Sequence, residues 1–207
     1  VPIENVGERF KNFAHNFDQN RILTGIDSLD KNLILTTGML VGLLGAPSSA
    51  KTSIANNIAE NLSKAGLPVL YESLDMGDNL LYTRLLSRYS GYSMEKILGM
   101  YKDKAPDQHL LQAYADVMEG FSNVQFNFKN GPLVDDIEKD IIEYRERLGK
   151  SPRLVIVDYL EKIRSEFSDQ TASSGYVASR LSDISKKYDC CVLTLLQPQK
   201  SAGDPSE

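Results

Sequence analysis

Five short apolar segments recur along the chain, and the stretches between them have the spacing of helices. The segments are MLVGLLG (39–45), PVLYESL (68–74), NVQFNF (123–128), RLVIVDY (153–159) and CCVLTLL (190–196). Several of them are continuously apolar, as expected for strands that are covered by helices on both faces. Strands that alternate with helices in this way are typical of α/β domains, so we predict a mostly parallel central sheet flanked by helices.

Two of the intervening segments carry apolar stripes. One stripe is Leu80, Leu81, Leu85 and Leu86, and the other is Val177, Leu181, Ile184 and Tyr188. Their spacing is that of residues on one side of a helix. We predict that both stripes face the core, and we assign them no chemistry.

The first 20 residues differ from the rest, because their apolar positions are mostly aromatic. Val6, Phe10, Phe13 and Phe17 recur at intervals of four, three and four, which predicts a helix, followed by the linker DQNRILTG (18–25). An exposed apolar stripe needs a partner. Two partners remain open at this stage, the chain's own domain and a neighbouring subunit.

Charge and cysteine content restrict the class of protein. The chain has 207 residues, the length of one large domain, and its net charge of −5 argues against a generally basic surface. A nucleic-acid partner would therefore be bound by a local loop that is basic or lined by amides. No apolar run reaches the ~18 residues of a membrane span. Cys190 and Cys191 are adjacent in an apolar run, so we predict core residues in a reduced, cytoplasmic setting without membrane association.

A phosphate-binding loop is predicted between the first apolar segment and the helix that follows. The loop GAPSSAKTS consists of Gly45, Ala46, Pro47, Ser48, Ser49, Ala50, Lys51, Thr52 and Ser53. It departs from the pattern G-x-x-x-x-G-K-[ST] only at Ala50. Backbone N–H groups at such a helix start point at phosphate, and Lys51 and Thr52 would contact phosphate and Mg²⁺. An ordinary strand–turn–helix junction is the open alternative.

Ala50 decides how well the loop can work. If its backbone is nearly helical, the methyl group costs little. If its φ is positive, the loop loses about 1 kcal/mol. We expect a working site in either case.

A second signal comes from RLVIVDYLEK, which places Asp158 at the end of an apolar strand. An acidic residue there is typical of a Walker B element, whose carboxylate holds Mg²⁺. Together, the loop and Asp158 predict one Mg²⁺–nucleotide site at the carboxyl edge of the sheet.

At this point a family resemblance is apparent. The run TGIDSLDKNL...GMLVGLLGAPSSAKTSIANNIAENL, followed by VLYESLDM, LVIVDYLEK and VLTLLQPQ, resembles the ATPase domain of DnaB-type replicative helicases in the RecA-like superfamily. The resemblance implies a RecA-like P-loop NTPase fold and a hexameric ring that binds ATP and Mg²⁺ and moves along single-stranded DNA. It also implies a primase and a helicase loader as partners, in the cytoplasm of a bacterial cell or a phage-infected host. We divide the chain into a linker helix (1–20) and the RecA-like ATPase domain (21–207).

The resemblance implies roles for three further residues. Asp75 stands where the family has the glutamate of a Ser-Leu-Glu-Met run, which activates the attacking water. Aspartate is one methylene shorter than glutamate, so its carboxylate would lie farther from the water. Glu72 therefore remains open as the alternative base. Gln197 matches the sensor glutamine that contacts the γ-phosphate.

Two departures limit the resemblance. The sequence stops where a DNA-contacting loop and, later, an arginine finger are expected, so we expect a C-terminally incomplete domain that hydrolyses hardly any ATP alone. The segment RSEFSDQTASSG (164–175) is the other candidate DNA-facing segment, with a mobile surface loop as its alternative. Two other functions stay open: a RecA- or RadA-type recombination ATPase, and a nucleotide-binding scaffold subunit that has lost turnover through Ala50 and Asp75.

Overall fold

A parallel five-stranded sheet forms the centre of the protein, for which a computed structural model describes residues 1–198. The strands are β3 (Leu40–Leu44), β4 (Val69–Ser73), β5 (Val124–Phe128), β6 (Leu154–Asp158) and β7 (Cys191–Leu196). Their order in the sheet is β3-β7-β6-β4-β5. Each lies inside one of the five predicted segments, so the strand prediction and the α/β fold class are confirmed. The α-helices are α1 (Ile3–His15), α2 (Phe17–Asn20), α3 (Asp27–Asn32), α4 (Lys51–Lys64), α5 (Asp78–Ser90), α6 (Met94–Lys102), α7 (Gln108–Gly120), α8 (Val134–Leu148) and α9 (Gln170–Lys187).

Helices cover both faces of the sheet, and successive residues of each central strand point to opposite sides. In β4, Val69 and Tyr71 belong to the apolar core on the side of α4, α5 and α7, whereas Leu70 belongs to the core on the side of α8 and α9. Every residue of β4 and β6 is buried. This explains the unbroken apolar runs, because each buried aliphatic side chain contributes about 1.5–3 kcal/mol.

The helical stripes were predicted correctly except at one position. Val177, Leu181, Ile184 and Tyr188 are all buried, as are Leu81, Leu85 and Leu86. The prediction is wrong for Leu80, which is 41% exposed. Neighbouring residues on a helix are about 100° apart, so Leu80 lies on a different side of α5 from Leu81. Cys190 and Cys191 are free and buried, which confirms their place in the core.

The leading aromatic stripe is not covered by the rest of the described chain. Val6, Phe10 and Phe13 lie on α1, a helix without any buried residue, and Phe17 begins α2. Within residues 1–198, Val6, Phe10 and Phe13 are exposed, and only Phe17 is half-buried, so intramolecular packing, one of the two open alternatives, does not cover most of the stripe.

The segment predicted as a linker is partly folded onto the domain. Arg21 and Ile22 form strand β1, which pairs with β2 (Leu35–Thr36), and Ile22 is fully buried because it joins the core. The side chain of Asn61, on α4, donates a hydrogen bond of 2.9 Å to the carbonyl oxygen of Thr24. Of the segment predicted as a linker, residues 18–20 thus belong to α2, and Arg21, Ile22 and Thr24 are attached to the domain.

The segment 164–175 is also more ordered than a surface loop. α9 begins at Gln170, and the Asp169 side chain accepts a hydrogen bond from the backbone N–H of Ala172, which caps the helix. Only residues 164–169 form a loop. None of the helices found between residues 1 and 198 is long and apolar enough to cross a bilayer.

Candidate nucleotide-binding site

A cleft of about 570 Å³ lies at the carboxyl edge of the sheet. Its lining includes the loop from Pro47 to Ser53 together with Asp75, Asp158 and Gln197. These predicted residues come from four separate segments of the chain, and the parallel strands bring them together because their carboxyl ends meet at one edge. Gly45, Ala46 and Glu72 are not part of the lining.

The backbone of the loop has two residues in the left-handed conformation, Ser48 with φ 61° and Ala50 with φ 63°. The positive φ of Ala50 means that the loop bears the cost of about 1 kcal/mol expected for alanine in this conformation. Gly45 lies close to a side chain of the loop. A Cβ atom there would lie 2.5 Å from the Ser49 hydroxyl oxygen, which would have to rotate away.

Lys51 is held by the loop itself. Its ammonium group donates hydrogen bonds to the carbonyl oxygens of Gly45 at 2.6 Å and Ala46 at 2.8 Å, and the residue is only 8% exposed. Because α4 begins at Lys51, the unpaired N–H groups of its first turn face the same cleft. A positive side chain and free backbone donors therefore belong to the lining of one cleft, which suits a phosphate group.

Asp158 and Thr52 place a carboxylate and a hydroxyl at the cleft. Asp158 is buried at the end of β6, and its carboxylate accepts a hydrogen bond of 3.0 Å from the Tyr71 hydroxyl. Burial raises the pKa of Asp158, while the neighbouring Thr52 and Tyr71 hydroxyls and the charge of Lys51 act in the opposite direction. A hydroxyl and a single carboxylate, completed by phosphate oxygens and water, are a donor set that fits Mg²⁺.

Asp75 and Glu72 have different surroundings. The Asp75 carboxylate is half exposed at the cleft, 2.8 Å from the ammonium of Lys162, in the 3₁₀ helix Leu160–Lys162. Glu72 is fully buried on the face of β4 that carries Leu70. There the Asn127 side chain donates a hydrogen bond of 2.9 Å to the Glu72 carboxylate. Burial and the nearby Asp140 carboxylate raise the pKa of Glu72 to about 8. Of the two candidate bases, only Asp75 lies where a bound water could reach it.

Gln197 connects the end of β7 to the segment after Asp158. Its backbone N–H donates a hydrogen bond of 3.0 Å to Glu161, the residue that precedes Lys162. The residue is therefore tied to the cleft through its main chain, and its side chain is left to line the cleft.

Several lining residues were not identified from the sequence, namely Met76, Leu80, Arg84 and Tyr159. Arg84 matters most, because it and Lys51 are the cationic residues of the lining among the residues that the structure describes. Leu80 and Arg84 are four residues apart, so they lie on one side of α5. The sequence does not show that this side faces the cleft, because Leu80 has the spacing of a core residue. No pattern in the sequence around Lys162 indicates that it pairs with Asp75.

Comparison with known proteins places the chain in one family. Residues 21–205 match the model of the DnaB-like helicase C terminal domain. The Gene 65 protein of Mycobacterium phage L5 is 26% identical over 168 residues, which are 80% of this chain and 60% of that protein. The Gene 65 protein of Mycobacterium phage D29 is 24% identical over 135 residues, which are 64% of this chain and 56% of that protein. The chain therefore spans less than two thirds of the length of these curated relatives.

Two solved structures have a similar fold. One is an ATPase domain, with a TM-score of 0.79 at 21% identity and coverage of 94% of this chain and 72% of the other. The second, a DnaB-like replicative helicase described with its interactions with primase, has a TM-score of 0.77 at 20% identity. That match covers 97% of this chain and 49% of the other. The RecA-like ATPase fold expected from the resemblance is thereby confirmed.

Proposed function

Because the chain belongs to the family of DnaB-like helicase C-terminal domains, we propose that it is the ATP-hydrolysing motor domain of a replicative DNA helicase. In this proposal residues 1–20 are a linker helix, and the whole protein is a hexameric ring that moves along single-stranded DNA. The main support is the cleft, which combines a phosphate loop, oxygen ligands for Mg²⁺, an accessible carboxylate and a glutamine.

The proposed division of roles follows from the contacts at the cleft. The N–H groups of the loop and the Lys51 ammonium bind the β- and γ-phosphates of ATP. Thr52 and Asp158 hold Mg²⁺, which neutralises phosphate charge when bound.

Asp75 is the proposed general base. It accepts a proton from water as the water oxygen bonds to the γ-phosphorus, and the bond from that phosphorus to the bridging oxygen breaks to release ADP. This role needs a carboxylate within about 3 Å of the water. The half-exposed position of Asp75 at the cleft supports the assignment, whereas Glu72 is buried outside it.

Assembly through a second copy of the chain is part of the proposal. α1 exposes an apolar stripe, and Phe10 and Phe13 are 66% and 42% exposed. A surface with several exposed apolar side chains lies elsewhere on the domain, with Leu111, Tyr114 and Met118 on one side of α7. Helices that bury such stripes against one another are stabilised by the apolar area removed from water. Primase is a further proposed partner, because a structurally similar helicase is described with its primase interactions.

The test uses the whole protein that contains this sequence. Phosphate release is measured with and without single-stranded DNA, and unwinding is measured on a forked duplex. We expect ATP hydrolysis that DNA stimulates, unwinding that needs ATP, and loss of both in Lys51→Ala. Negative-stain images should contain rings.

Each alternative function has its own outcome in this experiment. A recombination ATPase would form filaments and pair strands without unwinding a fork. A scaffold subunit would bind the nucleotide and release no phosphate in any preparation.

A further inference from the structure

An ion pair beside the cleft joins the segment that carries Asp75, the proposed base, to the segment that follows Asp158, the proposed Mg²⁺ ligand. The Lys162 ammonium lies 2.8 Å from Oδ1 of Asp75. Lys162 belongs to the 3₁₀ helix that follows Asp158, whereas Asp75 lies two residues beyond the end of β4. The pair thus connects the loops of two different strands.

The main chains that carry the pair are fixed relative to each other. β4 and β6 are parallel neighbours, with Ser73 opposite Asp158. The backbone N–H of Leu74 donates a hydrogen bond of 2.8 Å to the carbonyl oxygen of Asp158. The Ser73 hydroxyl donates to the carbonyl oxygen of Met76 at 2.7 Å, which closes the turn around Asp75. These contacts fix the main chain around Asp75 but not the rotamer of its side chain.

Lys162 is the partner that restricts this side chain. Among the described residues, the Asp75 carboxylate makes its ion pair with Lys162 and with no other cation. The pair engages Oδ1 and leaves Oδ2 for another partner. Lys162 is itself supported by Tyr159, whose ring centre is 5.4 Å from the ammonium and which also lines the cleft.

The pair contributes little to folding. The side chains of Lys162 and Asp75 are 39% and 50% exposed, and ion pairs as exposed as this stabilise proteins only slightly. Its effect is therefore expected in the orientation of the carboxylate. An aspartate reaches about 1.5 Å less far than a glutamate, so it can serve as a base only from a narrow range of rotamers.

We propose that Lys162 is a positioning residue for Asp75, which it holds in the orientation from which Oδ2 meets the attacking water. This inference rests on the proposed function, in which Asp75 is the general base. It assigns Lys162 no contact with ATP or with the water. A glutamate at position 75, with its longer reach, should not need the lysine.

The first part of the test compares single variants of the whole protein. We expect Lys162→Leu to lower kcat by about tenfold to a hundredfold, as a misplaced catalytic group does. The KM for ATP, the affinity for a fluorescent ATP analogue and the melting temperature should stay near those of the parent. Lys162→Arg should keep most of the turnover, because it keeps the positive charge. Lys187→Leu is the matched control, since it removes a 2.8 Å pair with Glu138, and neither residue lines the cleft.

The second part places the same change in an Asp75→Glu background. There, Lys162→Leu should alter kcat by less than about twofold, because the longer carboxylate reaches the water unaided. An equal loss in both backgrounds, or a Lys162→Leu protein as fast as its parent, would overturn the positioning role alone. A parent protein that releases no phosphate would overturn the proposed function itself, and the positioning role with it.

Discussion

The ammonium group of Lys51 lies 2.6 Å from the carbonyl oxygen of Gly45, so the cation of the phosphate loop is bound by the loop's own backbone. In the proposed role of the loop, this charge would be in place before a phosphate group binds. Replacing Lys51 with alanine should therefore abolish nucleotide binding and leave the fold intact, because the lysine supplies charge to the phosphates. Titration with a fluorescent ATP analogue, together with circular dichroism, measures both effects. Lys139→Ala, which removes an exposed pair with Asp136, should change neither, and unchanged affinity in Lys51→Ala would remove the assignment of the phosphate loop.

Replacing Ala50 with glycine should stabilise the protein. Ala50 has φ 63°, and left-handed alanine costs about 1–2 kcal/mol, part of which the greater chain entropy of glycine offsets. The expected gain in the free energy of unfolding is about 0.5–1 kcal/mol, measured by urea denaturation. Ala172→Gly, at an exposed and right-handed helical position of α9, should have the opposite sign. Equal losses in the two variants would mean that Ala50 is unstrained.

Replacing Asp75 with asparagine in the whole protein should lower turnover by about 10² or more and spare nucleotide binding, since asparagine cannot take a proton from water. Glu72→Gln should do less, because Glu72 is buried outside the cleft. Single-turnover phosphate release and analogue titration distinguish chemistry from binding. The reverse ranking of the two variants would transfer the role of base to Glu72.

The buried position of Glu72 predicts a pH dependence of stability. Its pKa is raised from 4.5 to about 8 by burial and by the Asp140 carboxylate, with Asn127 and Lys129 acting in the opposite direction. Between those two values the folded protein binds more protons than the unfolded chain, so this group's contribution to stability falls as the pH rises. Glutamine cannot ionise. The melting temperature of Glu72→Gln should therefore rise relative to that of its parent as the pH is raised from 5 to 8. A difference in melting temperature that stays constant over this range would contradict the raised pKa.

Replacing Phe13 with aspartate should weaken assembly of the whole protein. Phe13 lies in the exposed stripe of α1 and contacts Phe17 edge to face, with ring centres 5.8 Å apart. A charge in an apolar contact between subunits is costly to desolvate, so sedimentation should shift from oligomer toward monomer without unfolding. Asn12→Asp introduces the same charge beside the stripe and should sediment as the parent does. If the Phe13 variant stays fully oligomeric, the stripe serves another purpose.

The sequence identifies the parts of this fold that local chemistry determines. Strands such as β6 are buried on both faces, so their positions are visible as unbroken apolar runs. The phosphate loop is recognisable because its backbone geometry and its charge both constrain the residues allowed there. Asp158 is recognisable as a candidate because a charged residue stands out at the end of an apolar strand.

The features of the fold and the site that local patterns do not predict depend on which segments become neighbours in space. The pairing of Asp75 with Lys162 requires β4 and β6 to be adjacent, and no local pattern records the strand order. The exposure of Leu80 depends on how α5 is rotated against the sheet, since Leu81 beside it is equally apolar. Ile22 was assigned to a linker because a strand of two residues leaves almost no periodic signal.

The hydrogen bond from Asn61 to Thr24 attaches the segment after β1 to α4. Thr24 is itself fixed by the Asp30 carboxylate, which accepts 2.8 Å bonds from both its backbone N–H and its hydroxyl. Asn61 lies about 15 Å along α4 from Lys51, at the rise of a regular helix. The first turn of the same helix faces the nucleotide cleft. The segment that follows β1 and the predicted phosphate loop are therefore anchored at opposite ends of α4, so the leading part of the chain and the cleft share one helix as their support.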